Sequence, residues 1–137
     1  MTNQQEHHTS LPEVQPIMRI MPMPADANAQ GAIFGGWMMM QVDIAGSIEA
    51  QRCAQGAVTT VAVNAFQFHQ PVHVGDLVSF YVERLRVGKT SVTVKVEVFA
   101  QRHPDLANVV KVTEAMLTYV AVDAAGHARE LPPEIVE

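Results

Sequence analysis

The chain has 137 residues, of which 48% are hydrophobic, so it has the size of one ordinary domain and can bury a core without disulfides or metal ions. Its formal net charge is −5 with only nine Lys and Arg residues, which leaves no basic stripe to neutralise a phosphodiester backbone, and we expect no nucleic-acid partner. Net acidity still permits a compact polyanion, such as a nucleotide tail, to bind a few local cations.

The single cysteine, Cys53, has no partner for an internal disulfide, and no positively charged segment followed by an apolar run opens the chain. These features predict a reducing, cytoplasmic location. No apolar run reaches the roughly 20 residues that cross a bilayer, because the most apolar stretch, 37–48, is interrupted by Gln41 and Asp43. We therefore expect no membrane partner.

The first half of the chain predicts a tail, a short strand and a helix. Residues 1–15 are polar and show neither helical nor strand periodicity, so they are predicted to be a disordered tail that precedes a single domain over 16–137. Residues 17–23 are predicted to form a weak edge strand, because Pro22 and Pro24 cannot donate to a strand ladder. Residues 36–53 lack proline, are rich in Met, Ala and Ile, and end near Gly56, which predicts one long helix.

From Val58 onward the composition changes to β-branched residues in near-alternating order, which is typical of strands. Strands are predicted over 58–68, 77–87, 91–102 and 109–122, and the short turns between consecutive strands predict antiparallel pairing. Between Thr90 and Phe99 the valines alternate with polar residues, so one face is predicted to be buried and the other to face water.

One apolar helix and about five strands fit a curved antiparallel sheet wrapped around a single central helix, which is an α+β architecture. The helix fills the concave face and leaves no apolar sheet surface bare. Short strands leave exposed edges, and pairing such edges between two copies is a common remedy. We therefore expect at least a homodimer.

Asp43 lies on an unexpected face of the predicted helix. At about 100° per residue, the polar residues of the last two turns gather on one side, and Asp43 points almost opposite Arg52, among small or apolar residues. A carboxylate withdrawn from water must be paired, hydrogen-bonded or protonated. Two interpretations remain: Asp43 is catalytic, or it accepts hydrogen bonds from a loop or pairs with a cation of a partner subunit.

Gly31, Gly35 and Gly36 lie around the predicted start of the helix. The free backbone N–H groups and the positive end of the helix dipole at this position can bind an anion or a developing oxyanion. The alternative is a loop that requires positive φ angles, which glycine adopts readily. The two interpretations do not exclude each other.

Several segments in fixed order and spacing resemble one family. They are 23–31 (MPADANAQG), 33–37 (IFGGW), 41–46 (QVDIAG), 61–63 (VAV), 71–76 (PVHVGD), 87–91 (VGKTS) and 119–123 (YVAVD). Over roughly residues 18–133, the chain resembles the hotdog-fold acyl-CoA thioesterases of the YciA type, related to the cytosolic long-chain acyl-CoA hydrolases. The resemblance implies a hotdog fold and hydrolysis of acyl-CoA to a free carboxylic acid and coenzyme A. It also implies assembly as a homodimer and then a trimer of dimers, a hexamer, without a metal or a separate cofactor.

The resemblance implies that Asp43 is the catalytic carboxylate, acting as general base or nucleophile on the thioester. It implies that Asn28 comes from the opposite subunit, so that each site is composite. From the residues alone, Asn28 in the segment 26–28 is also credible as a turn or helix-capping residue.

The same resemblance implies that a backbone N–H at Gly35 or Gly36 stabilises the oxyanion. It places Lys89, Thr90 and Ser91 near the nucleotide part of coenzyme A, where the ammonium meets phosphate charge and the hydroxyls donate hydrogen bonds. The alternative for these three residues is a plain β-hairpin turn with a solvated lysine.

The chain departs from the family pattern at two positions. Ala32 replaces the Asn or Asp often found after the motif glycine, and Gln70 stands where relatives usually have Lys. Both departures concern details of ligand contact. The adjacent Met38, Met39 and Met40 could line a flexible acyl channel, although core filling is the more ordinary use of methionine.

Two other functions remain as alternatives. The pair Asp26 and Asn28 suggests a hotdog enoyl-CoA hydratase, but that chemistry requires a histidine shortly after the pair, and none precedes His69. A hotdog domain can also bind acyl-CoA without cleaving it, and the presence of both Asn28 and Asp43 favours catalysis over binding alone. The six histidines show no metal-ligand spacing with Cys or acids.

Overall fold

The computed structural model describes residues 7–135. This part of the chain contains one α-helix, α1 (Gly35–Ala54), preceded by a single 3-10 turn at Pro24–Asp26. It also contains six strands: β1 (His8–Thr9), β2 (Met18–Ile20), β3 (Val58–Phe68), β4 (Leu77–Val87), β5 (Ser91–Gln101) and β6 (Val109–Ala121). None of its helices is long and apolar enough to span a bilayer.

The strands form one antiparallel sheet in the order β1-β6-β5-β4-β2, and β3 also pairs with β6. β1 pairs with Val109 and Val110, whereas β3 pairs with Thr113 to Ala121, so both lie along the same side of β6. The predicted antiparallel sheet around one helix is confirmed. Pairing of consecutive strands is confirmed for β4 with β5 and for β5 with β6.

The predicted pairing is wrong for β3 and β4, which are not neighbours in the sheet. The eight residues 69–76 between them carry the chain from β3, at one edge of the sheet, to β4, which lies next to the opposite edge strand β2. This connection contains Pro71 and is longer than a tight hairpin turn, so it does not force its flanking strands together. β3 consequently becomes an edge strand with no partner on its outer side in the described chain.

The amino-terminal part differs from the predicted tail. His8 and Thr9 pair with Val110 and Val109, and the half-buried Leu11 packs on a small cluster that includes Tyr81. Residues 1–6 of the predicted tail lie outside the described residues. β2 is shorter than predicted and pairs only with β4, which agrees with an edge strand bounded by prolines.

The core lies between α1 and the concave face of the sheet. The alternating valines of β5 are 0–1% exposed, which confirms the predicted buried face; they are Val92, Val94, Val96 and Val98. On the helix, Val42, Ala45 and Ala50 are fully buried. Each large aliphatic side chain removed from water contributes about 1.5–3 kcal/mol, and the small alanines let the helix approach the sheet closely.

A buried ion pair attaches the 69–76 connection to the end of β5. Nη1 of Arg102 lies 2.5 Å from Oδ2 of Asp76, and the two residues are 6% and 2% exposed. The same carboxylate oxygen accepts a hydrogen bond of 2.9 Å from the backbone N–H of His73. Asp76 therefore fixes the path by which the chain crosses from β3 to β4.

Replacing Asp76 by alanine is expected to lower the free energy of unfolding by about 3–5 kcal/mol, because it removes the buried ion pair with Arg102 and the acceptor of the His73 N–H. Glu130→Ala is the matched control, since its ion pair with Lys89 joins two exposed side chains and contributes about 0–1 kcal/mol. Denaturant unfolding of both variants at one protein concentration measures the difference. Equal stabilities of the two variants would contradict this role for Asp76.

Candidate active site

Asp43 lies on α1 and is half-buried on the side of the helix that faces β3. Its Oδ1 accepts a hydrogen bond of 2.7 Å from the Thr60 hydroxyl of β3 and one of 3.0 Å from the Tyr119 hydroxyl of β6. Within residues 7–135, no group donates to its second oxygen, Oδ2. One carboxylate oxygen is therefore fixed in place and the other remains available to a reactant.

The Tyr119 side chain is fully buried between the helix and the sheet. Its hydroxyl also lies 2.8 Å from the backbone carbonyl oxygen of Asp43, so it contacts both the carbonyl and the carboxylate of one residue. Burial raises the pKa of Tyr119 far above its ordinary value, and the negative charge and hydrogen bond of Asp43 raise it further. The hydroxyl therefore stays protonated at working pH and donates to Asp43.

Gly46 provides the space for this hydroxyl. A Cβ atom at position 46 would lie 2.5 Å from the Tyr119 hydroxyl oxygen, which is closer than real contacts allow. A glycine at position 46 therefore leaves room for the Tyr119 hydroxyl, which in turn holds Asp43.

The amino end of α1 presents unsatisfied backbone donors. The Phe34 carbonyl accepts from the N–H groups of Trp37 and Met38, while the N–H groups of Gly35 and Gly36 donate to no described residue. The first turn carries no acidic residue and has no side-chain cap. The positive end of a 20-residue helix is therefore open to an anion or an oxyanion at this position.

The helix separates these donors from Asp43. Gly36 and Asp43 are seven residues apart, so they lie within about 20° on one face of α1 but about 10 Å apart along its axis. Catalytic hydrogen bonds to one carbonyl group span about 3 Å. The Gly36 N–H and the Asp43 carboxylate of one chain consequently do not reach the same thioester carbonyl.

Asn28 lies in the loop before α1 and organises that loop. Its Oδ1 accepts hydrogen bonds of 2.9 Å from Gln30 N–H and 3.1 Å from Ala32 N–H. The Nδ2 group donates to no atom in the described part of the chain. The turn role of Asn28 is therefore observed, and it leaves the amide donors free for another group. Ala32 takes part through its backbone alone, so this loop does not need a polar side chain there.

Lys89 and Thr90 lie in the turn between β4 and β5, as the hairpin interpretation predicts, and Ser91 is the first residue of β5. Lys89 is an exposed side chain whose ammonium lies 3.2 Å from a carboxylate oxygen of Glu130. Ser91 is opposite Val120 in the sheet, one residue along β6 from Tyr119. The turn therefore lies at the Asp43 end of the sheet and not near the start of α1.

A cavity of about 280 Å³ opens at the amino end of α1. Its lining comes from the start of α1, the end of β3, the following connection and β6; it comprises Ile33, Phe34, Gly35, Met38, Phe68, His69, Gln70, Pro71, Val72 and Thr113. Gly35 and Gln70 thus share one cavity. Met38 also lines it, whereas Met39 and Met40 are exposed on the outer face of the helix.

Sequence reasoning did not identify Thr60 or Tyr119 as partners of Asp43. Tyr119 lies in the motif segment 119–123, which was a usable signal, but its contact with α1 depends on long-range packing. The sequence did not identify Thr60 as a partner of Asp43, because the alternation of residues in a strand does not show that β3 lies beside α1. No group of three or more His, Cys, Asp or Glu residues within 7–135 has the arrangement of a metal site.

Comparison with known proteins identifies the family. The model of the thioesterase superfamily matches residues 30–107, which include α1, β3, β4 and β5. The chain belongs to the thioesterase superfamily. It is 43% identical over 127 residues to the acyl-CoA thioester hydrolase YciA of Escherichia coli K12, and the match covers 91% of this chain and 96% of that protein.

Solved structures of thioesterases are also similar to this chain. The hexameric thioesterase of Yersinia pestis is 46% identical with a TM-score of 0.83, over 89% of this chain and 98% of that one. The hexameric hotdog fold thioesterase of Campylobacter jejuni is 38% identical with a TM-score of 0.84, over 89% of this chain and 93% of that one. The hotdog fold implied by the sequence is thereby confirmed.

In this member of the thioesterase superfamily, Tyr119→Phe removes one hydrogen bond to a carboxylate and is expected to lower kcat for thioester hydrolysis about tenfold while KM stays within about twofold. Tyr81→Phe is the matched control, because the buried Tyr81 hydroxyl has no hydrogen-bond partner in the described chain. Steady-state kinetics with one acyl-CoA measures both variants. Equal losses in the two variants would indicate a general packing effect instead of the positioning of Asp43.

Proposed function

We propose that the chain hydrolyses acyl-CoA thioesters to free carboxylic acids and coenzyme A. The observation that carries this proposal is the Asp43 carboxylate, which two hydroxyl groups hold by one oxygen while its other oxygen accepts no hydrogen bond from the described chain. The similarity to the acyl-CoA thioester hydrolase of E. coli supports acyl-CoA as the substrate class.

Asp43 is the catalytic carboxylate in this proposal. A thioester carbonyl is a good electrophile, and the free Oδ2 either removes a proton from an attacking water or adds to the carbonyl carbon directly. Thr60 and Tyr119 are positioning residues, since they contact Asp43 and keep its orientation fixed. A backbone N–H of Gly35 or Gly36 stabilises the negative charge that develops on the carbonyl oxygen.

The separation of about 10 Å between Gly36 and Asp43 along α1 supports a site shared by two copies. One subunit supplies Asp43. The other subunit supplies the amino end of its own α1 helix and the free side-chain amide of its own Asn28. β3 and the outer face of α1 carry the apolar surface that such a homodimer would cover. Its most exposed members, each 43–55% exposed, are Met39, Met40, Ile44, Val61, Val63 and Phe68.

β3 also offers a free backbone edge beside this surface, and edge pairing between copies would extend the sheet across the dimer. The similar thioesterases of Yersinia and Campylobacter are hexameric. We therefore propose that the homodimers assemble further into a trimer of dimers.

Lys89, Thr90 and Ser91 are proposed to bind the nucleotide part of coenzyme A. The 88–91 turn lies at the Asp43 end of the sheet, and the exposed ammonium of Lys89 can exchange its contact with Glu130 for a phosphate. Coenzyme A is part of the substrate, and the proposed reaction needs no metal and no separate cofactor.

Asp43→Asn keeps the size of the side chain and removes its negative charge, so thiol release from acyl-CoA is expected to fall at least 100-fold. A colorimetric thiol reagent measures the release across short, medium and long acyl chains. Asp105→Asn changes an exposed loop aspartate and serves as the charge-matched control. Binding of acyl-CoA by the native chain without any release would instead indicate a binding module, and unchanged release in Asp43→Asn would remove Asp43 from catalysis.

A shared site also predicts recovery of activity in mixed dimers. Asn28→Asp keeps the oxygen that accepts from Gln30 and Ala32 but removes the amide donors, so it spares the loop and inactivates the site. Mixing this variant with Asp43→Asn should restore about a quarter of the native activity, because half of the dimers are mixed and each has one intact site of two.

One variant is labelled uniformly with nitrogen-15, and native mass spectrometry after joint unfolding and refolding then verifies the mixed composition. Refolding each variant alone gives the background activity. Mixed dimers that stay as inactive as the separate variants would show that Asn28 and Asp43 act within one chain.

A further inference from the structure

A row of polar side chains continues from Asp43 toward the carboxyl end of α1. Ser47 and Gln51 follow Asp43 at intervals of four residues, so each lies about 6 Å further along the helix axis and about 40° further around it. Ser47 is half-buried and Gln51 is exposed. The row therefore begins at the candidate catalytic carboxylate and ends on the surface of the helix.

The hydrogen bonds within this row leave several polar groups unused. The Ser47 hydroxyl donates its one proton to the Ile44 carbonyl oxygen at 2.7 Å, so its oxygen remains an acceptor. The Gln51 amide nitrogen lies 3.5 Å from that oxygen, which is a long and weak contact. The Gln51 amide oxygen accepts no hydrogen bond within residues 7–135. The row can consequently accept from the N–H groups of a ligand, and Gln51 can also donate to a carbonyl oxygen.

The row leads toward the 88–91 turn. The Arg129 side chain donates at 2.8 Å to the carbonyl oxygen of Ala54, the last residue of α1. Two residues later, the N–H of Leu131 donates at 2.9 Å to the carbonyl oxygen of Lys89. The carboxyl end of α1 and the proposed nucleotide-binding turn are therefore neighbours. A molecule that reaches from this turn to the catalytic carboxylate passes along the second half of the helix.

The arm of coenzyme A between the thioester and the nucleotide contains two amides at a matching spacing. Two methylene groups separate the sulfur from the first amide by about 4 Å, and a β-alanine unit separates the two amides by about 5 Å. With the thioester at Asp43, the first amide lies near Ser47, which is about 6 Å along the helix. Gln51 points back toward the amino end of α1, as helical side chains do, so its amide group lies at the level of the second amide.

We propose that Ser47 and Gln51 bind this arm of coenzyme A. The Ser47 oxygen accepts from the N–H of the amide nearer the sulfur, and the Gln51 side-chain amide pairs with the second amide. These contacts are made equally before and during the reaction, so their loss raises KM and leaves kcat unchanged. The inference rests on the proposed acyl-CoA hydrolysis and names two further groups that hold its substrate.

The test uses butyryl thioesters of four thiols: coenzyme A, pantetheine, N-acetylcysteamine and ethanethiol. The first two carry both amides, the third carries only the first amide, and the last carries none. Ser47→Ala should lower kcat/KM about fivefold for the first three and leave the ethanethiol thioester within about twofold, because one hydrogen bond is lost. Gln51→Ala should lower kcat/KM only for the first two. Alanine is the best helix former, so both variants keep the fold.

Lys89→Ala is the reference variant, since it should affect the coenzyme A thioester alone, which is the substrate that carries phosphates. A second measurement is the inhibition constant of free pantetheine against butyryl-CoA, followed by the loss of thioester absorbance, and it should rise about fivefold in Ser47→Ala and in Gln51→Ala.

An equal loss with all four thioesters in Ser47→Ala would indicate a structural role and overturn the proposal for Ser47. A loss with the N-acetylcysteamine thioester in Gln51→Ala would do the same for Gln51. Unchanged inhibition by pantetheine in both variants would overturn the whole inference while leaving the hydrolase intact. A native chain that hydrolyses none of the thioesters would instead overturn the proposed function, so the two failures are distinguishable.

Discussion

The contact between the Tyr119 hydroxyl and Asp43 connects the core of this protein to its candidate chemistry. The tyrosine is buried where α1 meets the sheet, and its hydroxyl bonds both the backbone carbonyl and the side chain of Asp43. A shift of the helix along the sheet would therefore displace the carboxylate. Gly46 belongs to the same arrangement, since a larger residue would occupy the position of the hydroxyl. The packing of α1 on the sheet and the orientation of the Asp43 carboxylate therefore depend on the same contact.

The fold was predictable where periodicity is strong. The alternating valines of β5 and the proline-free apolar segment of α1 gave both elements within two residues of their observed bounds. The order of the strands was only partly predictable, because a connection of eight residues such as 69–76 permits more than one path. The short β1 was missed because two residues carry no periodic signal and pair only after β6 exists.

The candidate site was predictable to the extent that its residues break a pattern. Asp43 interrupts an apolar helix face, and Gly35 and Gly36 stand at a helix start, so the sequence alone drew attention to all three. The role of Thr60 depends on which strand lies beside the helix. Such relations arise from packing between distant segments, and no local spacing encodes them. The placement of the Asp43 carboxylate alone left the substrate open. The interpretation as an acyl-CoA hydrolase came from the resemblance of several segments to a known family.

The placement of Gly36 and Asp43 two turns apart on one helix face has a consequence for how catalytic capacity depends on the amount of protein. In the proposed dimer, a two-fold axis would bring each Asp43 beside the other helix start, so both sites form together on association and vanish together on separation. Activity per chain would then follow the association equilibrium and decline upon dilution. At protein concentrations below the dimer dissociation constant, a cell would contain folded single chains that are inactive because each lacks the half of the site that its partner supplies.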